Sequence, residues 1–543
     1  MKIIVIEADG LRAEFLGPYG NDWVETPSLN RIAASGFVFD HCLIGSPHRG
    51  AQTAALWTGL HPTQMALAQW GSCHPLAGGS RVSSRVEETS GTGISREGST
   101  WRCIVSSLRE RGWKTVLVSP ERSVLAHPLA QSFEEHRLIG GGSEDVGDAE
   151  RMSIRVVRGE PEMTPLGRPA EDWGETRTAL VFSEVCEALS QMEGAALVWC
   201  HLSDLRNHWD APLAMRMRHH EEGDPEPWPG TNVPRLCFRG EVDPDWLLPF
   251  VSAYAAQVEV LDLCLAGLWS TLEELAHREP WMLVITSGRG MPLGEHGWLG
   301  TWHTPLHAEL LHVPLIMAFS DGVGQSERSQ ALVYPHDLAA SILGVAGVDM
   351  SVGQSEGTIL PDKTRVAIGG EDLLPIIRGE LDQVRDRLFV WDGHQTLAVR
   401  TRGWFAQVRL VGQEDVEEIA DSSTATDNGE ETIAEDWIAQ DLTTVSARAD
   451  LANLVKMRTQ EGEDSLSDWE IEELRRRVRL FVKPDDRWEV NEVADRCPQI
   501  AGEFLKMTAE FLYSFQTLAD ASEQDGRLVL SVLPDELVKG PEA

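Results

Sequence analysis

Four short apolar runs, each closed by a polar cluster, set the pattern of the first half of the chain. Residues 3–6 lead to Asp9, residues 115–118 to Pro120 and Arg122, residues 195–200 to His201 and Asp204, and residues 282–285 to Ser287, Gly288, Arg289 and Gly290. Runs of this length predict strands buried on both faces. Helical patterns separate them, over residues 28–35, 52–57, 101–111, 177–192 and 251–276. The alternation predicts an α/β fold: a large, mixed but mostly parallel sheet sandwiched by helices, with ligand sites beyond the carboxyl ends of its strands. The four polar clusters are therefore expected to meet in one crevice.

Segments rich in Gly, Ser and charge interrupt the pattern at about residues 71–99, 140–175 and 216–245, and are expected to be loop insertions in a first unit spanning 1–380. Past residue 380 the texture changes. Short alternating stretches at 387–391, 396–401 and 403–410 and a closing helix at 498–518 predict a smaller α+β unit, 381–543, built as an antiparallel sheet with a packed helix. Within it, residues 412–441 carry eleven acids between Glu414 and Asp441 with no Lys or Arg, which predicts a solvated acidic loop.

Charge narrows the choice of partners. With 85 acidic against 47 basic residues the chain carries a net charge of −38, so nucleic acid and anionic lipid are not expected to bind it. The eight cysteines show no zinc spacing and several sit in apolar runs, as reduced core cysteines do. The first apolar run is cut at Glu7, too short for a signal peptide, and no later stretch reads as a membrane span, so a cytoplasmic location is expected.

Chemistry concentrates between residues 26 and 59. There TPSLNRIAASGFVFDHCLIGSPHRGAQTAALWTG resembles the sulfatase branch of the alkaline phosphatase superfamily, with Thr26, Pro27, Leu29, Arg31, Gly36, Phe39, Ser46, Pro47, Thr58 and Gly59 in register without a gap. DLLPIIRGE at 372–380 and, more loosely, residues 480–495 extend the resemblance to about residue 520. It implies the alkaline-phosphatase/sulfatase-like fold and a sulfuric ester hydrolase using a formylglycine nucleophile and a divalent ion such as Ca2+. The cysteine that would become formylglycine, nine positions before Thr58, is Arg49, and the motif's own arginine is Thr53.

The other positions implied by the resemblance shift in the same direction. Asp9 matches the first metal ligand, followed by Gly10. Gly288 and Arg289 stand where an Asp and a His or Asn would serve the metal, and a guanidinium only donates. Pro120 and Arg122 take the places of a lysine and a histidine. His201 precedes Asp204, after which Arg206 and His208 compete for one histidine position. Trp302, His303 and His307 surround a further lysine position out of register.

A divalent ion about 5 Å from one guanidinium is disfavoured by roughly 6–7 kcal/mol at an effective dielectric near 20. An emptied metal site is therefore expected, with Asp9 as remnant ligand, Arg49 and Arg289 paired to it, and no cofactor unless the family's divalent site survives. Arg49, Arg122 and Arg289 are the expected anion-binding groups, and Thr53, Arg122, His201, Arg206 and His208 the remaining catalytic positions. Three readings follow. The first is a sulfatase-like protein without the family's activity, binding a small anion, a sulfated or phosphorylated molecule or a partner. The second is a diverged ester hydrolase using Thr53 or Ser46. The third is a structural or regulatory subunit of an oligomer, its interface anchored by some of the 19 tryptophans.

Overall fold

The computed structural model describes residues 1–63, 93–96, 99–140, 153–300, 306–348, 363–367, 369–393, 396–410, 424–425, 431–434, 476–520 and 527–540. Its centre is an eight-stranded sheet: β1 (Lys2–Ala8), β2 (Gly36–Cys42), β3 (Lys114–Ser119), β4 (Glu135–Leu138), β5 (Ala196–Leu202), β6 (Trp281–Thr286), β7 (Leu315–Phe319) and β8 (Glu327–Val333). They lie in the order β8-β2-β7-β6-β1-β5-β3-β4, and β7 alone among them runs against the rest. β1, β5 and β6 are buried at every residue, which is why they read as unbroken apolar runs.

Alternate residues of these strands feed two cores. Ile4, Ile6, Val198 and Ile285 pack against the helices α3 (Arg177–Gln191) and α4 (Pro244–Ala276). Ile3, Val5, Trp199 and Val284 face the opposite layer, which includes Leu56 and Trp57 of α2 (Arg49–Thr58); the first helix, α1, is Pro27–Ala34. The 33-residue α4 is long and apolar enough to cross a membrane, contrary to the expectation that no stretch would be. In this fold 78% of its apolar window is buried, so the length serves the core.

The C-terminal part forms the expected antiparallel sheet, β9 (Leu388–Trp391), β10 (Thr396–Arg400), β11 (Trp404–Arg409) and β12 (Val478–Val482), with α5 (Pro498–Asp520) on one face through Phe504 and Phe511. Its other face, through Val390, Phe405 and Phe481, joins the core around α2. Two further contacts fix the entrance of α2 to this sheet: Trp391 N donates to Gly45 O at 3.1 Å, and His48 Nε2 lies 2.6 Å from Asp392 O.

The expected loop insertions need correction. Ser153–Val157 and Leu236–Phe238 are strands that pair in parallel, and Trp298–Leu299 and Glu431–Ala434 extend the same sheet. Part of the acidic segment therefore adds a strand. Most of residues 71–99 and 412–441 lie outside the described residues, as do Trp302 and His303.

Candidate functional site

The carboxyl ends of β6, β1, β5 and β3 converge as the apolar runs predict. Asp9 stands just past β1, with its backbone N–H on Leu202 O of β5 at 2.8 Å, while Gly10 N–H reaches Arg289 O at 2.9 Å. Gly10 has a φ of +97°, and a Cβ there would lie 3.0 Å from Arg206 N and 3.2 Å from Arg206 Cβ. Both the backbone conformation and the close approach of the β5 loop call for glycine at this position.

The side chain of Asp9, 2% exposed, sits between two guanidinium groups. Arg206 Nε donates to Oδ2 at 2.6 Å and Arg289 Nε to Oδ1 at 3.2 Å. Burial works against the charge on Asp9, but Arg289, Arg206, His201 and Arg49 outweigh it and hold the carboxyl below its ordinary range. Arg289 also donates through Nη1 to Pro47 O at 2.9 Å, linking the site to the loop that enters α2.

A second carboxylate completes the network. Glu121, on the exit loop of β3, accepts from Arg49 Nη1 at 2.6 Å through one oxygen and from Arg206 Nη2 at 2.9 Å through the other, with Asn207 Nδ2 as a further donor. Burial opposes ionisation here too, yet Arg206, Arg49 and His201 keep Glu121 far below the usual carboxylate range. Arg49 Nη2 reaches Ser123 Oγ at 3.0 Å, leaving this side chain one-third exposed (33%) at the mouth.

Beneath the arginines lies Glu7, which accepts from Trp199 Nε1 at 2.8 Å and stands 3.2 Å from His201 Nδ1. Burial disfavours the imidazolium of His201, but Glu7, Glu121 and Asp9 together raise its pKa above the ordinary value. Glu7, Asp9, Arg49, Gln52, Thr53, Gly288 and Arg289 close on one another and leave no space for a water molecule between them. The amide of Gln52, 2% exposed, makes no hydrogen bond there.

Several expectations are corrected by these positions. Arg49 pairs with Glu121 rather than Asp9, because the first residue of α2 extends across the mouth to the β3 exit; Arg206 takes the place beside Asp9. Arg122 is exposed and does not enter the crevice: the chain turns at Pro120, Glu121 faces inward as the residue capping the helical turn Arg122–Leu125, and the next side chain points out. His208, 37% exposed at its side chain and 3.8 Å from Asp210, lies off the site, so Arg206 holds the contested position. Asp204 is turned toward α3, bonded to Arg177 and Thr178. His307 is buried against the C-terminal sheet, with Nδ1 2.7 Å from Glu489 and its ring stacked 3.6 Å from that of His296. Thr53 lines the crevice, and Ser46 Oγ accepts from His48 N–H at 3.3 Å.

Glu7, Gln52, Glu121 and Asn207 are the site residues that sequence reasoning passes over. The available signal for Glu121 is charge balance: three arginines converging on one aspartate require another carboxylate.

A divalent ion would need oxygen donors turned to one point. Both oxygens of Asp9 face guanidinium N–H groups, Gly288 offers no side chain and Arg289 is itself a cation; among the described residues no group of three His, Cys, Asp or Glu is arranged for a metal. The residues present do not fit a divalent ion.

The network has a pH signature. The neighbouring guanidinium groups hold Asp9 below the ordinary carboxylate range, so its contribution is present above the pKa of an unfolded aspartate and is lost as pH falls through the lower folded value. The stability gap between wild type and Asp9→Asn is expected to narrow from pH 5 to pH 3 in urea titrations; a gap constant over that range would contradict the pairing.

Sheet order, flanking helices and a site at the strand ends define an alkaline-phosphatase-type α/β fold. The solved phosphonate monoester hydrolase of Agrobacterium radiobacter superposes with a TM-score of 0.59 at 14% identity, over 98% of this chain and 100% of that one. A protein solved with its substrate D-glucosamine-2-N,6-O-disulfate gives 0.56 at 14% identity, over 96% and 99%. The family model described as Sulfatase matches residues 160–348. N-acetylglucosamine-6-O-sulfatase of Bacteroides thetaiotaomicron is 20% identical over 64% of this chain and 68% of its own length, and the arylsulfatase of Clostridium perfringens 21% over 55% and 64%. The chain thus shares its fold with these structures and is similar in sequence, over part of its length, to members of the sulfatase family.

Proposed function

We propose that this chain is a non-hydrolytic member of its family, and that its strand-end crevice is an oxyanion receptor filled by the protein's own Glu121. The observation that carries the reading is the capture of Asp9 by Arg206 and Arg289, with a third arginine at the start of α2. The resemblance of residues 26–59 to the family's motif supports reading residue 49 as the counterpart of the family's nucleophile. A protonated guanidinium has no lone pair with which to attack sulfur, and it repels the metal that would activate a nucleophile.

The same groups are suited to holding an oxyanion. Arg49, Arg206 and Asn207 already grip a carboxylate through charge-assisted hydrogen bonds, the form of contact that binds sulfate or phosphate. Relatives named for sulfated sugars and aryl sulfates make a sulfated or phosphorylated small molecule the class to test. To enter, it must displace Glu121 from Arg49.

Purified protein is expected to carry substoichiometric Ca, Mg and Zn by elemental analysis and to turn over neither aryl sulfates nor aryl phosphodiesters above background. Stoichiometric metal, or turnover abolished by Thr53→Ala, would instead establish a diverged hydrolase.

A further inference from the structure

The network of charges in the strand-end crevice leaves one buried side chain unused. Gln52 is 2% exposed, and neither Nε2 nor Oε1 of its amide has a hydrogen-bond partner. A buried amide in that state forgoes the contacts it had in water, and the gap beside it is too narrow for a water molecule to restore them. Gln52 stands three residues after Arg49, on the same face of α2, so an anion gripped by Arg49 lies within its reach.

The neighbouring acceptors define what could fill that gap. Gly288 has no side chain, and an atom at a Cβ position there would stand 3.3 Å from Glu7 Oε1, 3.8 Å from Asp9 Oδ1 and 3.9 Å from Gln52 Cγ. The nearest two are carboxyl oxygens that already accept or face N–H groups: Glu7 through Trp199 and His201, Asp9 through Arg206 and Arg289. An oxygen without a proton would set lone pairs against lone pairs here, whereas a hydroxyl would donate. The amide of Gln52 makes a matching demand whichever way it is turned, since one of its atoms donates and the other accepts. The arginines call for negative charge, and these groups call for an O–H on the same ligand.

We infer that the crevice selects hydrogen phosphate over sulfate, with Gln52 as the residue that reads the ligand's proton. Resting on the oxyanion-receptor reading, this selectivity divides the site in two. Once Glu121 is displaced, Arg49 and Arg206 hold any tetrahedral anion, while Gln52, Glu7 and Asp9 sort anions by whether one oxygen is protonated. Inorganic phosphate keeps an O–H at neutral pH; sulfate has none. A phosphate monoester loses its last proton near pH ~6, so at neutral pH it falls with sulfate. Discrimination of this kind is steep because the buried groups stay unpaired with the wrong ligand.

Thermal melting of the full chain at neutral pH and constant ionic strength, titrated with phosphate, sulfate or phenyl phosphate, tests it. The comparison is between Glu121→Gln, in which the arginines are open to solution, and Glu121→Gln/Gln52→Met. Half-maximal stabilisation of the single variant is expected at about thirtyfold lower phosphate than sulfate or phenyl phosphate, and the double variant should lose that advantage. Without ligand, Gln52→Met should be no less stable than wild type, because its amide has no partner to lose; marked destabilisation would make Gln52 a structural residue and overturn its role. Equal responses to phosphate and sulfate would overturn the selectivity and leave the receptor standing, whereas no response to either would remove the receptor itself. A preference that survives Gln52→Met would also overturn the inference. If Glu121→Gln does not fold, wild type against Gln52→Met carries the same comparison, the two sharing any general effect of salt; an identical phosphate response in both would then be decisive against it.

Discussion

Replacing Asp9 with alanine is expected to lower the unfolding free energy by about 3–5 kcal/mol, the range for removing one partner of a buried ion pair. The reason is the company it keeps. Arg206 and Arg289 are 7% and 5% exposed at their side chains, and each directs Nε at this one carboxylate. Without it, Arg206 keeps Glu121, while Arg289 keeps Pro47 O but no compensating charge from Asp9. Chemical denaturation of wild type and Asp9→Ala measures the difference directly. In a sulfatase using a metal, loss of a metal-binding aspartate would be expected to act on metal content and activity; here the effect is on stability, and a change below about 1 kcal/mol, ordinary for a surface pair, would contradict the buried network.

Glu121→Gln tests the other half of the site. A glutamine has nearly the same shape but cannot satisfy two guanidinium groups with charge, so Arg49 and Arg206 become available to an external anion. The variant is expected to be less stable than wild type in sulfate-free buffer and to recover stability as sulfate or phosphate is added. Recovery reaches about 1.4 kcal/mol at ten times Kd, by mass action on the folded state. Wild type should respond much less, because its own carboxylate competes at very high effective concentration. Equal responses in the two proteins would remove Glu121 from the receptor; no response in either would remove the receptor itself.

The sequence makes the sheet legible for a physical reason. Strands buried on both faces, such as β1 and β6, must be apolar throughout, so their ends and the polar residues just beyond them can be read directly. Asp9, Arg206 and Arg289 fall in such places, and the structure brings them together. Strands whose partners are remote and whose faces are partly polar carry no comparable signal: Ser153–Val157 pairs with Leu236–Phe238 and Glu431–Ala434, and only the folded chain shows it. The assignment of partners among like residues is equally hidden. Arg49, Arg206 and Arg289 are interchangeable in a pattern of residue types, and whether Asp9 or Glu121 receives each depends on loop paths of a few ångströms. The turn at Pro120 decides that Glu121 faces inward while Arg122 does not.

The left-handed backbone at Gly10 couples the two loops that carry the buried charges. Any side chain added there would meet the main chain of residue 206 as well as strain its own, so the loop carrying Arg206 packs directly on the end of β1. A side chain introduced at residue 10 would therefore move Arg206 as well, since the two loops would have to part to admit it, and the pairing of Arg206 with Asp9 would change with them.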